Sequence, residues 1–441
     1  MALDRAAVLL GCLVLSLAAN AEESKSDRMT LGRQLFEQNR LRPPADDSPL
    51  AGPRLGDGLG PLFNGASCVE CHHMAGIGGA GPNDHNVEIV SLALPLGTPA
   101  ETTRLMASRA QATHPGFFES LNVSLHRFGR DRAGSMRTYD DYRRRLRDMF
   151  PAELRPATET GQTFGDGMRY QLAQRSTPAL FGTGLIDQIK PSLVRALAVA
   201  QRDNHPEVAG RMTDAGAGRF GWRGHVSSLD DFVRTACAAE LGLRVRSGAK
   251  GVHDQPAWPV DGPIKSKTAR TPLDMSEKQV EALVAFVRSL PAPQQVLPAS
   301  FEDRVGIDAG RESFEDIGCA VCRQPDLGPA NGLYSDLLLH SMGSRLADRV
   351  AAPMPPPRFR RVQSLHTSVV PIRTPSTGGG GYSGGGSTLS LGAVVSPTTQ
   401  IIEIPPSLGE LTAATEEFRT PPLWGVADSA PLSARRARRD A

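Results

Sequence analysis

The sequence predicts a mainly α protein, with two domains and with long irregular loops and insertions between helices. Three observations predict it. The 441 residues are 40% hydrophobic but only 5% aromatic, and they include 45 Gly and 35 Pro. That mix suits compact helical pieces joined by irregular chain, and the length suffices for two domains or more. Two segments, Thr30 to Asn39 and Leu273 to Leu290, carry apolar residues at helical spacing. Two C-x-x-C pairs lie far apart in the chain. A net charge of +2 offers no electrostatic reason to expect nucleic acid.

The N-terminus reads as an export signal over residues 1–21. Arg5 supplies the positive charge, and Ala6 to Ala19 is apolar apart from Gly11 and Ser16. Ala19-Asn20-Ala21 is a small-x-small cleavage site, followed by the polar Glu22. The apolar run continues past Cys12, which argues against a lipid anchor there. A periplasmic mature protein is therefore expected. No later apolar run is long enough to span a bilayer, so no transmembrane anchor is expected after signal removal. In the first helix, Leu31, Leu35 and Phe36 share one face.

Without Cys12, five cysteines remain: Cys68, Cys71, Cys237, Cys319 and Cys322. The first pair reads Cys68-Val69-Glu70-Cys71-His72, a c-type haem attachment signature. Two thiols one helical turn apart can add to the two vinyl groups on one porphyrin edge. The next residue, His72, is then an axial iron ligand. A zinc site would need ligands from the distant second pair. A redox dithiol would want a strand-helix setting, and a structural disulfide gives His72 no role. One haem c on Cys68 and Cys71 is expected.

Leu273 to Leu290 reads as a helix with Ser276 as N-cap and Gln279 completing a capping box. Val280, Leu283, Val284 and Val287 form its apolar stripe, and Pro291 stops it. The first domain is drawn over 26–293 and the second over 305–441. Cys237, in an apolar helical stretch, reads as a buried thiol. The second pair reads Cys319-Ala320-Val321-Cys322-Arg323. A guanidinium has no lone pair for iron, so this pair lacks its expected ligand. An empty haem site, a disulfide and two free thiols all remain open, and little or no covalent haem is expected there. His340 and Met342 follow in "LLLHSMG". Both side chains can ligate haem iron, though core or boundary roles are the more ordinary reading.

Six segments together resemble one family: "GDGLGPLFNGASCVECH", "STPALFGTGLID", "GRFGWRGHVSSLDDFVRTACAAELGL", "FEDIGCAVC", "GLYSDLLLHSMGSRLAD" and "EFRTPPLWGVADSAP". They resemble the bacterial di-haem oxidoreductase family, whose members are described as peroxidases or as thiol oxidoreductase-like proteins and which is related to di-haem cytochrome c peroxidases, over about residues 30 to 431. The resemblance implies two cytochrome c-like domains with neighbouring haems. One haem would pass electrons and the other would react with a small oxidant such as peroxide. A small redox partner or electron-donor protein is implied as well. The helix ending in "FVRSLPAP" is similar to the last helix of cytochrome c domains.

The chain departs from the family at Arg323 and at its end. Family members continue "SAPYLHDGRA" where this chain has Ser429-Ala430-Pro431-Leu432-Ser433-Ala434-Arg435-Arg436-Ala437. One C inserted before the codons TAT CTG CAC GAC GGG CGC gives CTA TCT GCA CGA CGG GCG, which encodes Leu-Ser-Ala-Arg-Arg-Ala. The tail is therefore read as a frameshift product rather than as a basic partner-binding tail.

No sixth ligand can be chosen among His85, His114, His126, Met106, Met136 and Met149. His73 adjoins His72 and cannot reach the opposite haem face. Arg143, Arg144 and Arg145 read as a solvated face, and Thr374 to Ser387 as a flexible Gly/Ser-rich loop. Two functions stay open. One is a di-haem peroxidase-type oxidoreductase, which needs an open iron position. The other is a single-haem electron carrier or catalytically impaired relative.

Overall fold

The computed structural model describes residues 25–42, 44–45, 47–51, 59–92, 94, 100–118, 121–130, 135–150, 162–163, 168–213, 218–247, 251–253, 273–343, 358–373, 389–404 and 416–428. Residues 1–21, read above as an export signal, the Gly/Ser-rich segment and the tail beyond Asp428 lie outside them. The chain divides into two units, one of residues 1–353 with 411–441 and one of residues 354–410.

The helices of the first unit are α1 (25–37), α2 (Cys68–Cys71), α3 (Ala100–Ala110), α4 (Arg137–Asp148), α5 (Thr183–Gln188), α6 (Pro191–Asn204), α7 (Leu229–Leu241), α8 (Glu277–Ser289) and α9 (Phe301–Asp316). Helix α8 is the centre of the main core. Its capping box is complete: Ser276 accepts from the Gln279 N–H, and the Gln279 side chain accepts from the Ser276 N–H. Val280, Leu283, Val284 and Val287 are all buried in the cluster that also holds Leu35, Phe36 and Cys237. Burying one such side chain contributes about 1.5–3 kcal/mol.

Helix α1 crosses α8 at Gly32. A Cβ there would sit 2.1 Å from the Ala282 carbonyl oxygen, so only glycine allows this approach. The crossing brings the Phe36 and Phe286 rings to 5.4 Å. Helix α7 is joined to the start of α8 by Arg234, which bonds Asp230 and Glu277, each at 2.6 Å. Among the described residues, no helix is long and apolar enough to cross a membrane.

Among the described residues up to 353, the strands of this unit are β1 (Leu62–Phe63), β2 (Val87–Leu92), β3 (Asn122–Ser124), β4 (Phe128–Gly129), β5 (Gln162–Thr163), β6 (Arg169–Arg175), β7 (Val245–Ser247), β8 (Gly251–His253) and β9 (Leu339–Ser341). Strands β3-β2-β6-β5 form an antiparallel sheet with Val90 opposite both Val123 and Leu172. A second core of Val90, Leu92, Phe117, Leu146 and Tyr170 lies on it. Helix α4 is bound to the sheet through Glu88, which pairs with Arg143 at 2.7 Å and Arg147 at 3.1 Å. Arg143 is therefore an anchor, not part of a plain solvated face; Arg144, 66% exposed, does face water.

In the second unit, β10 (Arg358–Arg373) and β11 (Leu389–Ile404) pair antiparallel from Arg358 opposite Ile404 to Arg373 opposite Leu389. Back in the first unit, β12 (Glu417–Arg419) pairs antiparallel with β9.

The expectation of a mainly α protein of two cytochrome c-like domains does not hold. Outside the β10–β11 pair, the described residues are 44% helix and 13% strand, with several β-sheets. The cause is physical. Strand β6 puts Gln171 and Gln174 among apolar residues, and β2 carries a buried Glu88, so neither shows clean apolar-polar alternation. Their pairing is non-local and leaves no mark at the spacing that a helix shows.

Candidate functional site

The first C-x-x-C turn follows β1. Ser67 caps it in an extended conformation and accepts from the Glu70 N–H at 3.2 Å. The Glu70 carboxylate reaches back to the Ala66 N–H at 2.6 Å. These reciprocal bonds close one helical turn, and the His72 N–H donates to the Cys68 carbonyl at 3.0 Å. Cys68, Cys71 and His72 are thus presented by one rigid turn. Both thiols are free and half-buried.

Burial dominates the electrostatics here. It pushes the Cys68 thiol up to about 12, with Cys237 adding to the effect. The Cys71 thiol also rises to about 12, through burial and then the charges of Glu240 and Glu70. Burial lowers His72 to about 4, against hydrogen bonds to the Gly79 and Pro178 carbonyls. A ring with that pKa is neutral at pH 7. His72 Nδ1 lies 3.2 Å from the Gly79 carbonyl oxygen, which selects the tautomer protonated at Nδ1. Protonated at Nδ1, the ring would offer Nε2 as its ligand nitrogen. Two sulfurs on one turn beside an oriented neutral imidazole fit haem c as a donor set.

The other candidates scatter. His73 is exposed, and its Nδ1 faces the Val69 carbonyl. His85 sits between Asp84 and Glu70. His114 and His126 are buried. Met106 packs on the sheet core, and Met149 is exposed. Met136 lines a cavity of about 320 Å³ with Phe63, Ser67 and Glu70. Cys237 is buried in α7, 3% exposed.

The second C-x-x-C turn follows α9. Gly318, at φ 82°, turns the chain into a 3-10 helix over Cys319–Val321. The Arg323 N–H donates to the Cys319 carbonyl at 3.0 Å, the same backbone bond that His72 makes in the first turn. The Arg323 guanidinium points to main chain, donating to the Tyr334 and Pro421 carbonyls. Burial lowers its pKa, opposed by Asp336 and Cys322. Cys319 and Cys322 are free thiols.

Around Cys322 lies a buried polar group. Asp336 is 0% exposed, and its Oδ2 accepts from Gln201 at 2.8 Å and pairs with His340 Nε2 at 2.7 Å. Gln201 also donates to the Val321 carbonyl and accepts from the Gly210 N–H, tying α6 to the turn. His340 Nδ1 lies 2.8 Å from the Val208 carbonyl oxygen and 3.6 Å from Cys322 Sγ. Burial alone would lower the His340 pKa, but hydrogen bonds and charge from Asp336 and Cys322 raise it to about 10. The donor atoms of Cys322, Asp336 and His340 lie within 4.8 Å of one another. Met342 is 46% exposed beyond this group.

Sequence reasoning singled out Cys322 and His340 but missed Asp336 and Gln201. The only local signal was the four-residue spacing of Asp336 and His340. No family model, no curated protein and no solved structure matches the chain.

Proposed function

We propose that this chain is an exported c-type haem protein of the di-haem oxidoreductase type, active in electron transfer. Haem would be linked through Cys68 and Cys71 and ligated by His72. One observation carries this reading: His72 directly follows a capped turn bearing both thiols, and its Nδ1 is committed to the Gly79 carbonyl. Bound there, haem supplies a one-electron couple. The Ser67 and Glu70 bonds hold the two sulfurs on one turn. Gly79 orients the imidazole, and Phe36, its ring 6.3 Å away, packs beside it.

A single-haem carrier is favoured over a di-haem peroxidase by the bonds of Arg323. Its guanidinium is held by two main-chain carbonyls where the family has an iron ligand. Peroxide reduction is therefore expected to be weak.

The test is expression of the full chain with export and haem-attachment machinery, followed by acid extraction and intact mass. One haem adduct that survives extraction, and that is lost in the Cys68→Ser, Cys71→Ser double variant, supports the reading. An adduct that persists in that variant, or no adduct in the unaltered chain, overturns it. Rapid peroxide turnover would overturn the carrier assignment alone.

A further inference from the structure

The second C-x-x-C turn joins a nucleophile to a charged pair. His340 Nδ1 faces the Val208 carbonyl oxygen at 2.8 Å and Cys322 Sγ at 3.6 Å. His340 Nε2 faces Asp336 Oδ2 at 2.7 Å. A carbonyl and a carboxylate only accept. Both ring nitrogens therefore need protons, and only the imidazolium has them. Asp336 cannot swing away. Its Oδ1 accepts from the Leu338 N–H and its Oδ2 from Gln201, and it is fully buried. His340 and Asp336 thus form a fixed ion pair whose Nδ1–H, bonded to the Val208 carbonyl, also lies alongside the Cys322 sulfur, 3.6 Å from Nδ1. An imidazolium beside a thiol is the usual device for making cysteine a nucleophile. Cys319 lies one short turn earlier, at C-x-x-C spacing, and both thiols are free.

We propose that Cys319 and Cys322 form a thiol–disulfide exchange centre in which Cys322 attacks a small disulfide and Cys319 resolves the product. His340 contacts the attacking sulfur, and Asp336 and Gln201 are positioning residues. Cys322 gives its S–H proton to solvent, and its sulfur attacks one sulfur of R–S–S–R. The substrate S–S bond breaks, a mixed disulfide forms at Cys322, and RS⁻ leaves and takes up a proton. Cys319 loses its proton and attacks the Cys322 sulfur, which releases the second RSH. The substrate gains two electrons as two thiols, and the cysteine pair loses two as one disulfide. This inference does not depend on the Cys68–Cys71 site.

A metal ion is the competing occupant, since the donor atoms of Cys322, Asp336 and His340 lie within 4.8 Å of one another. It is disfavoured because both His340 nitrogens already face acceptors, leaving no imidazole lone pair directed at an ion.

The test treats the full chain and single variants with glutathione disulfide and maps the products by peptide mass. The unaltered chain should gain a Cys319–Cys322 disulfide and release two glutathiones. Cys319→Ser should trap glutathione on Cys322, whereas Cys322→Ser should trap little on Cys319. His340→Gln and Asp336→Asn, with Cys319→Ser, should slow trapping on the order of tenfold. Cys237 is buried in the fold, so it must stay unmodified in those variants for the slowing to count. If it becomes modified, the comparison of Cys319→Ser with Cys322→Ser decides alone. Trapping as fast on Cys319 as on Cys322 would overturn the proposal. So would undiminished trapping in His340→Gln with Cys237 protected, or haem mass on the Cys319–Cys322 peptide. Stoichiometric zinc bound through Cys322 that blocks trapping would overturn it in favour of a metal site.

Discussion

His72 Nδ1 lies 3.2 Å from the carbonyl oxygen of Gly79, seven residues downstream. That carbonyl is held by a tight return of the chain, in which Met74 and Ala80 form a bridge. A Cβ at Gly79 would fall 1.6 Å from the Met74 carbonyl oxygen. Gly79→Ala must therefore move the carbonyl that orients the imidazole. We expect it to lower covalent haem per chain, read by a pyridine haemochrome assay after acid extraction. Unchanged haem content with an unchanged absorption spectrum would show that His72 does not depend on this carbonyl.

The α1–α8 crossing gives a second prediction. Gly32→Ala forces a methyl group against the Ala282 backbone, which cannot yield as a flexible side chain would. Overpacking of this kind costs about 1–3 kcal/mol. Leu283→Ala, which empties a site 1% exposed, should cost about 2–5 kcal/mol. Urea unfolding of both variants checks the figures. A Gly32→Ala protein as stable as the parent would mean that the two helices do not cross so closely.

Glu88 predicts a third effect. It is 8% exposed and accepts from Arg143 and Arg147, so Glu88→Ala leaves two partly buried guanidinium groups without their carboxylate. Breaking such a pair costs about 3–5 kcal/mol when fully buried, and the partial exposure of both arginines reduces this to about 2 kcal/mol. Glu88→Ala combined with Arg143→Met should lose less than the sum of the single changes. Strict additivity in that double-mutant cycle would remove Glu88 as the link between α4 and the sheet.

Stability should fall on both sides of neutrality. Burial lowers His114 to about 3 and His126 to about 4, each from an ordinary value of 6.5. Below that value the unfolded chain takes up protons that the folded chain refuses. The stability these two groups contribute is present above 6.5 and is lost as pH falls through their folded values. His340 runs the other way. Its folded value of about 10 means that its contribution is full below 6.5 and is lost as pH rises towards 10. Urea midpoints across this range should form a dome. His114→Gln should flatten its acid limb, and His340→Gln its alkaline limb. A midpoint that keeps rising above pH 7 would contradict the assigned His340–Asp336 pair.

These features differed in how far the sequence revealed them. Ser276 and Gln279 were readable because a capping box acts over three residues, and the α8 stripe repeats within one element. Cys68, Cys71 and His72 were readable for the same reason. The β2–β6 pairing was not, because Val90 and Leu172 meet only through tertiary structure, and Glu88 and Gln171 break the alternation that marks a strand. The Asp336–His340 pair was half visible. The spacing was there, but its meaning depends on the turn that lays Cys322 against His340 and on Gln201, which arrives from α6.

The closed first turn of α8 has a consequence for how this chain tolerates changes in length. Ser276 and Gln279 satisfy each other, and Gln279 also bonds the carbonyls of Pro49 and Ala51. The helix therefore takes its register from its own first residues and from a distant segment, not from whatever directly precedes it. Asp274, which accepts from the Arg244 N–H at 2.7 Å, marks where that independence begins. Residues upstream of Asp274 can be added or removed without rotating the apolar face of α8 away from the core. Related chains should accordingly vary in length just before this point, and a reporter peptide spliced in there should leave the helix undisturbed.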